Sequence, residues 1–166
     1  MPFSYNGWQA PPHKTKVFTV PGTNRKLTLD EQAGRILTAW AADYHKYVRP
    51  IDDGGVDEGG YCYRPANASP SQLSCHASGT AVDLNWSKEG AGWSAFAKSF
   101  WANAKNKANM ARIKMRYASV LRFGIDWSGK NWDPMHAEIK KGVSVADVQR
   151  FCRDNKIDEN GVRKGA

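Results

Sequence analysis

The stretch Ser74 to Asp83, SCHASGTAVD, constrains this chain more than any other. His76 and Asp83 stand seven positions apart, separated by a turn centred on Gly79 and a run that reads as a strand. Alternation through TAVDLNW puts Ala81, Asp83 and Asn85 on one strand face and Val82, Leu84 and Trp86 on the other. Burying the apolar face leaves Asp83 turned to a cleft. The arrangement suits two ligands of one zinc ion. A third candidate lies in WDPMHAEI, where His136 follows Asp133 by three positions. Two histidines and one carboxylate leave a fourth tetrahedral position open, as in hydrolytic rather than closed structural zinc sites. The His-to-Asp spacing alone recurs often by chance, so its weight comes from the residues around it.

Those two segments, in this order, resemble the D-alanyl-D-alanine carboxypeptidase-like zinc peptidases of the VanY and VanX type and their relatives in phage endolysins. The first motif of that family, S-x-H-x-x-G-x-A-x-D, is filled by Ser74, His76, Gly79, Ala81 and Asp83. Its second motif places an acid, commonly Glu, three residues before the last histidine ligand. Here Asp133 takes that place, in the D-P-M-H wording of the phage branch. A family arginine upstream matches Arg64 in GYCYRP, and the resemblance covers roughly Thr28 to Ile139. It implies that His76, Asp83 and His136 bind Zn2+, and that Asp133 is the general base. It further implies that Arg64 stabilises an oxyanion or grips a substrate carboxylate, and that Ser74 contacts the substrate. The implied substrate is the peptide stem of bacterial peptidoglycan. The implied activity is that of an endolysin L-alanyl-D-glutamate endopeptidase, with D-alanyl-D-alanine carboxypeptidase as the near alternative.

Each residue also has an ordinary reading. Asp133 before Pro134 suits an Asx turn, the Ser74 hydroxyl can satisfy its own loop, and Arg64 can be a surface arginine. Glu138 alternates with His136 on one strand face, which makes it the second candidate for the base or a partner that orients a ligand. Trp127 and Trp132 flank the second motif and serve either as cleft walls or as core. Two other function classes remain open. Cys75 as a thiolate with His136 as its base would make a cysteine cell-wall hydrolase, and a zinc-stabilised wall-binding module would bind without turnover.

Composition fits one catalytic domain. A chain of 166 residues with 41% hydrophobic and 24% charged content, seven Trp, six Tyr and six Phe can bury its own core. No apolar run approaches the roughly 18 residues of a membrane span, which argues against membrane insertion. The start, MPFSYNGWQAPPHK, lacks a secretory pattern, so the expectation is synthesis in the host cytoplasm and action at the cell wall after release. Three cysteines, Cys62, Cys75 and Cys152, do not make a disulfide framework, though a Cys62–Cys75 bridge competes with small buried hydrophobes. The net charge of +8 concentrates between Lys98 and Arg122, where Lys105, Lys107, Arg112, Lys114 and Arg116 also meet no acid. This is either a solvated helix face or an attraction to an anionic envelope. No nucleic-acid motif accompanies it. A monomer acting on peptidoglycan is expected.

Periodicity predicts an α+β fold, a small antiparallel sheet carrying the zinc site and flanked by helices. Thr15–Val20 reads as a strand, and Thr28 with Glu31 as a capping box opening a helix that stops at Pro50. Ile51–Gly60 is a solvated acidic loop, and YCYRP is a short strand. A second helix is expected over Trp93–Lys107, another strand within Arg116–Trp127, a turn in SGKNWDP and a strand in HAEI. Ser144 caps a last helix with Val145, Val148, Phe151 and Cys152 inward. The catalytic domain spans 1–154, and 155–166 is a polar tail or the start of a linker.

Overall fold

The computed structural model describes residues 2–89 and 94–165. A hairpin opens the fold, β1 (Thr15–Thr19) pairing antiparallel with β2 (Lys26–Asp30). Helix α1 (Ala33–Tyr47) follows. A second hairpin, β3 (Pro65–Ala66) with β4 (Ser69–Leu73), precedes the central sheet. That sheet is formed by β5 (Ala81–Asp83), β6 (Leu121–Phe123) and β7 (His136–Ile139), with β7 in the middle and antiparallel to both neighbours. Between β5 and β6 run α2 (Trp86–Glu89), α3 (Ala95–Ala102) and α4 (Ala104–Tyr117), and α5 (Val145–Asp154) follows β7. The expected α+β arrangement of small antiparallel sheets and flanking helices is what the chain forms.

The core lies between α1 and the sheet. Ile36, Leu37, Trp40, Ala41 and Tyr44 of α1 are buried, and the Trp40 ring packs 4.9 Å from Phe123 and 5.6 Å from Tyr117, centroid to centroid. Helices α4 and α5 cover the other sides of α1. Residues after Asn155 pack back on the same helix: Arg35 donates to the carbonyls of Ile157 (2.9 Å) and Asp158 (3.0 Å), and Ile157 is buried.

Several local expectations give way to tertiary contacts. Thr28 does not cap α1, because it lies in β2 opposite Val17. The Asp30 carboxylate caps instead, accepting from Gln32 N at 2.9 Å and Ala33 N at 3.0 Å. Of YCYRP only Pro65 enters a strand. The helix expected over Trp93–Lys107 is two, divided at Asn103, whose extended backbone (ψ 126°) lets its side chain cap α4 at Lys105 N and Asn106 N. Trp93 lies outside the described residues. After β5 the expected alternation stops at Asn85, whose positive φ of 60° turns the chain and leaves Trp86 exposed rather than buried. The acidic loop is not wholly solvated, since Asp57 is buried and accepts from Ser87 N at 3.2 Å. The Ser144 cap is present with a reciprocal Asp147, although Val145 is exposed. Cys62 is exposed, Cys75 and Cys152 are buried, and all three are free, so the Cys62–Cys75 bridge does not form.

Candidate metal centre

His76 sits in a single 3-10 turn, Cys75–Ser78, that the chain fixes at both ends. Ser74 caps the start, its hydroxyl accepting from His76 N at 3.2 Å. Gly79 closes the end at φ 66°, pressed so close to β2 that a Cβ there would lie 2.5 Å from Asp30 N. No L side chain fits that approach. His76 Nδ1 lies 2.7 Å from the Gly60 carbonyl oxygen. A carbonyl only accepts, so Nδ1 carries the ring proton and Nε2 holds the lone pair. That Nε2 is buried without a hydrogen-bond partner, 3.2 Å from Asp83 Oδ2.

Sheet register brings the other two residues to it. Asp83 and His136 are directly opposed on β5 and β7, with His136 Nδ1 at 2.9 Å from Asp83 Oδ1. The opposite ring nitrogen, Nε2, lies 2.8 Å from Glu138 Oε2. His76, Asp83 and His136 each offer one ligand atom, all within 4.8 Å of one another. The donor set is two imidazole nitrogens and one carboxylate oxygen, with an orphaned buried nitrogen aimed at the shared space, and it fits a zinc ion. The ligating nitrogen of His136 would be Nδ1, leaving Nε2–H to Glu138, as metal-bound histidines are commonly oriented.

Electrostatics say what occupies that space when metal does not. Burial disfavours a charged His136, yet the carboxylates of Asp83 and Glu138 on its two nitrogens outweigh this and raise it to about 10. Burial likewise opposes ionisation of Asp83, but His76 and His136 hold it well below the usual carboxylate range. Glu138 is lowered against burial by His136 and Arg122. Both carboxylates thus favour a protonated His136 between them.

Asp133 reaches the same pocket by a different route. Its backbone is locked beside Gly124, with Asp133 N donating to Gly124 O at 3.0 Å, and a Cβ on Gly124 would lie 2.0 Å from the Asp133 carbonyl oxygen. The turn into β7 closes through the main chain, His136 N to Asp133 O at 3.1 Å, so the side chain is not consumed in an Asx turn. Oδ1 is buried with no hydrogen-bond partner. Burial raises this carboxyl to about 6 despite the nearby histidines.

A pocket of about 300 Å³ borders the cluster through His136, lined by Asp133, His136, Glu138, Ser74, Arg64, Trp127 and Trp132 among others, while His76 and Asp83 lie outside its lining. Arg64 stands on its rim, tied to its own hairpin by Asn67 Oδ1 at 3.1 Å and Pro65 O at 3.3 Å. Both tryptophans wall the cleft. Cys75 also borders it, but burial and the Glu138 carboxylate push its thiol well up, the reverse of what a thiolate nucleophile requires. Arg122, counted in the sequence only as one charge of a basic run, lines the pocket too. Its place opposite Glu138 follows from the β6–β7 register, which the sequence does not display. Tyr5 and the Gly60 carbonyl were missed for the same reason: each arrives from a distant segment. Within the basic run, Lys114 pairs with Asp126 and Arg116 with Asp43, while Lys105, Lys107 and Arg112 are exposed on α4.

Residues 67–139 match the family described as D-alanyl-D-alanine carboxypeptidase. The matched span contains Ser74, His76, Asp83, Asp133 and His136, and it supports the likeness to VanY-type zinc peptidases and a peptidase activity. Arg64 lies just outside it. Neither a curated protein nor a solved structure matches the chain. Among the described residues, no helix is long and apolar enough to cross a membrane.

Proposed function

We propose that this chain is a zinc-dependent peptidase of bacterial peptidoglycan, an endolysin that hydrolyses the L-alanyl-D-glutamate bond of the stem peptide. The observation that carries the reading is the buried Nε2 of His76, without a hydrogen-bond partner, facing Asp83 and His136 beside a pocket that holds a second such group, Asp133 Oδ1. His76, Asp83 and His136 hold the zinc. When bound, the ion supplies Lewis acidity, making water more acidic and polarising a carbonyl.

The chain's own residues do the rest. Asp133, with its carboxyl raised toward neutrality, takes a proton from the attacking water and returns it to the leaving amine. Arg64 supplies donors to the oxygen on which negative charge develops. Glu138 holds the His136 ring in one tautomer and orientation. Ser74 both caps the His76 turn and presents its hydroxyl to the pocket. In this reading residues 1–154 form the catalytic unit and 155–166 its polar tail. The protein acts as a monomer at the cell wall after release from the cytoplasm, with no nucleic-acid partner.

D-alanyl-D-alanine carboxypeptidase is the second reading, favoured by the description of the matching family. Mass spectrometry of fragments released from purified peptidoglycan separates them. New glutamate amino termini support the endopeptidase, free D-alanine supports the carboxypeptidase, and binding without released fragments removes both.

A further inference from the structure

Arg122 is built into the pocket wall more firmly than a surface arginine needs to be. It lies on β6 directly opposite Glu138, and its guanidinium sits 4.6 Å from the Trp127 ring centroid and 5.0 Å from that of Tyr5. Two aromatic rings from distant parts of the chain thus hold one cation in place. Cation–π contact of this kind does not consume the guanidinium N–H groups, which stay available to a ligand. Arg122 makes no hydrogen bond with any described residue; the one acid beside it, Glu138, approaches Nε only to 3.6 Å. Glu138 is already engaged by His136 through its other oxygen, at 2.8 Å. Trp127 Nε1, on the same wall, is also buried without a partner. The wall therefore offers preorganised donors and one fork that is ion-paired with Glu138 through Nε but makes no hydrogen bond with a described residue.

The position sets what that fork can hold. Arg122 is level with Glu138, two residues along β7 from His136, a separation of roughly 7 Å on the same strand face. That distance is about two residues of extended chain. The geometry points to Arg122 as the specificity-determining residue of the pocket: it binds a free carboxylate carried by a residue flanking the scissile bond, so the substrate is an acidic peptide. The assignment rests on the peptidase reading and adds to it, since in an L-alanyl-D-glutamate bond the glutamate brings such a group. Arg64 stands apart from this position, its Nη1 turned to Pro65 O and Asn67 Oδ1 of its own hairpin on the rim. Lys130 lines the pocket but is exposed and carries no planar fork.

Two short stem peptides, differing only in whether that carboxylate is free or converted to its primary amide, test the assignment. The unaltered enzyme loaded with zinc should favour the free acid by about tenfold or more in kcat/KM, the scale of a charge-assisted pair. Arg122→Gln should bring the ratio near one with zinc content unchanged, and Arg122→Lys should keep part of it. Arg64→Gln should slow both peptides and leave the ratio alone. Calorimetric binding of the same peptides to zinc-depleted protein gives a readout without turnover, with the same preference and the same dependence on Arg122 expected. If binding discriminates through Arg122 but neither peptide is cut, the peptidase reading fails and the carboxylate site stands. If Arg122→Gln keeps the preference, or the unaltered protein shows none in binding, the assignment is overturned.

Discussion

The two faces of strand β7 are equally buried and held by opposite physics. Ala137 and Ile139 point into the core with Val82, Leu121 and Phe123, where removal of apolar surface from water is the driving term. His136 and Glu138 point the other way, buried to a similar degree, where each polar atom must find a partner or cost stability. Along this face the atoms are matched one to one: Asp83 on His136 Nδ1, Glu138 on His136 Nε2, Gly60 on His76 Nδ1. Among the described residues around it, His76 Nε2 and Asp133 Oδ1 are left without a hydrogen-bond partner. A strand buried on both faces therefore separates a stability side from a chemistry side, and substitutions on the two should fail in different ways.

The strongest break should come from His136→Ala, which removes a ligand from the polar face. Zinc, measured as metal per chain after purification, and turnover should both be lost while the core persists. A His136→Ala protein that keeps full zinc refutes the ligand assignment. On the apolar face Ile139→Ala should do the converse, losing about 2–5 kcal/mol of folding stability to the cavity and lost burial. Its folded fraction should bind zinc as before; denaturant unfolding and zinc titration read the two effects separately.

Within the polar side, Asp133→Asn should retain zinc and fold yet lose about 100-fold in turnover, as expected when a general base is removed. Glu138→Gln should instead weaken zinc binding by about 10- to 100-fold, with activity recovered in excess zinc. The opposite pair of results, an active Asp133→Asn and an inactive Glu138→Gln with zinc bound, would hand the base role to Glu138.

The smallest effect is in pH. His136 is raised from 6.5 to about 10 in the metal-free protein, so its contribution to stability is full below about 6.5 and is lost as pH rises toward 10. Thermal unfolding in chelator should therefore weaken across that window. Zinc must displace this proton, so zinc affinity should climb over the same range. A flat zinc affinity between pH 7 and 9 would show that His136 does not carry the proton.

Much of this was legible in the residues because it is local. The candidate ligands stand in short motifs whose spacing already implies a turn and a strand, and β7 and the Ser144 cap follow from alternation and capping chemistry. The Thr28 cap failed because a hairpin claimed Thr28 and left Asp30 to do the capping. The long second helix failed because Asn103 caps a new helix more favourably than it continues the old one. In both cases a side chain had two local uses and the surrounding fold chose between them.

By itself the sequence determined the α+β class, and through its family resemblance it singled out His76, Asp83 and His136 as a candidate ligand set with Asp133 as an acid near them. Tertiary structure alone decided that His76 leaves Nε2 without a hydrogen-bond partner while both nitrogens of His136 are engaged, that Glu138 lies against His136 Nε2, and that Arg122 enters the pocket beside Tyr5 and Trp127. The division has a physical origin. Ligand identity is set by side-chain chemistry at fixed spacing along the chain, whereas tautomer, orientation and reach depend on strand register and on backbone carbonyls brought from far away in sequence, which no local pattern encodes.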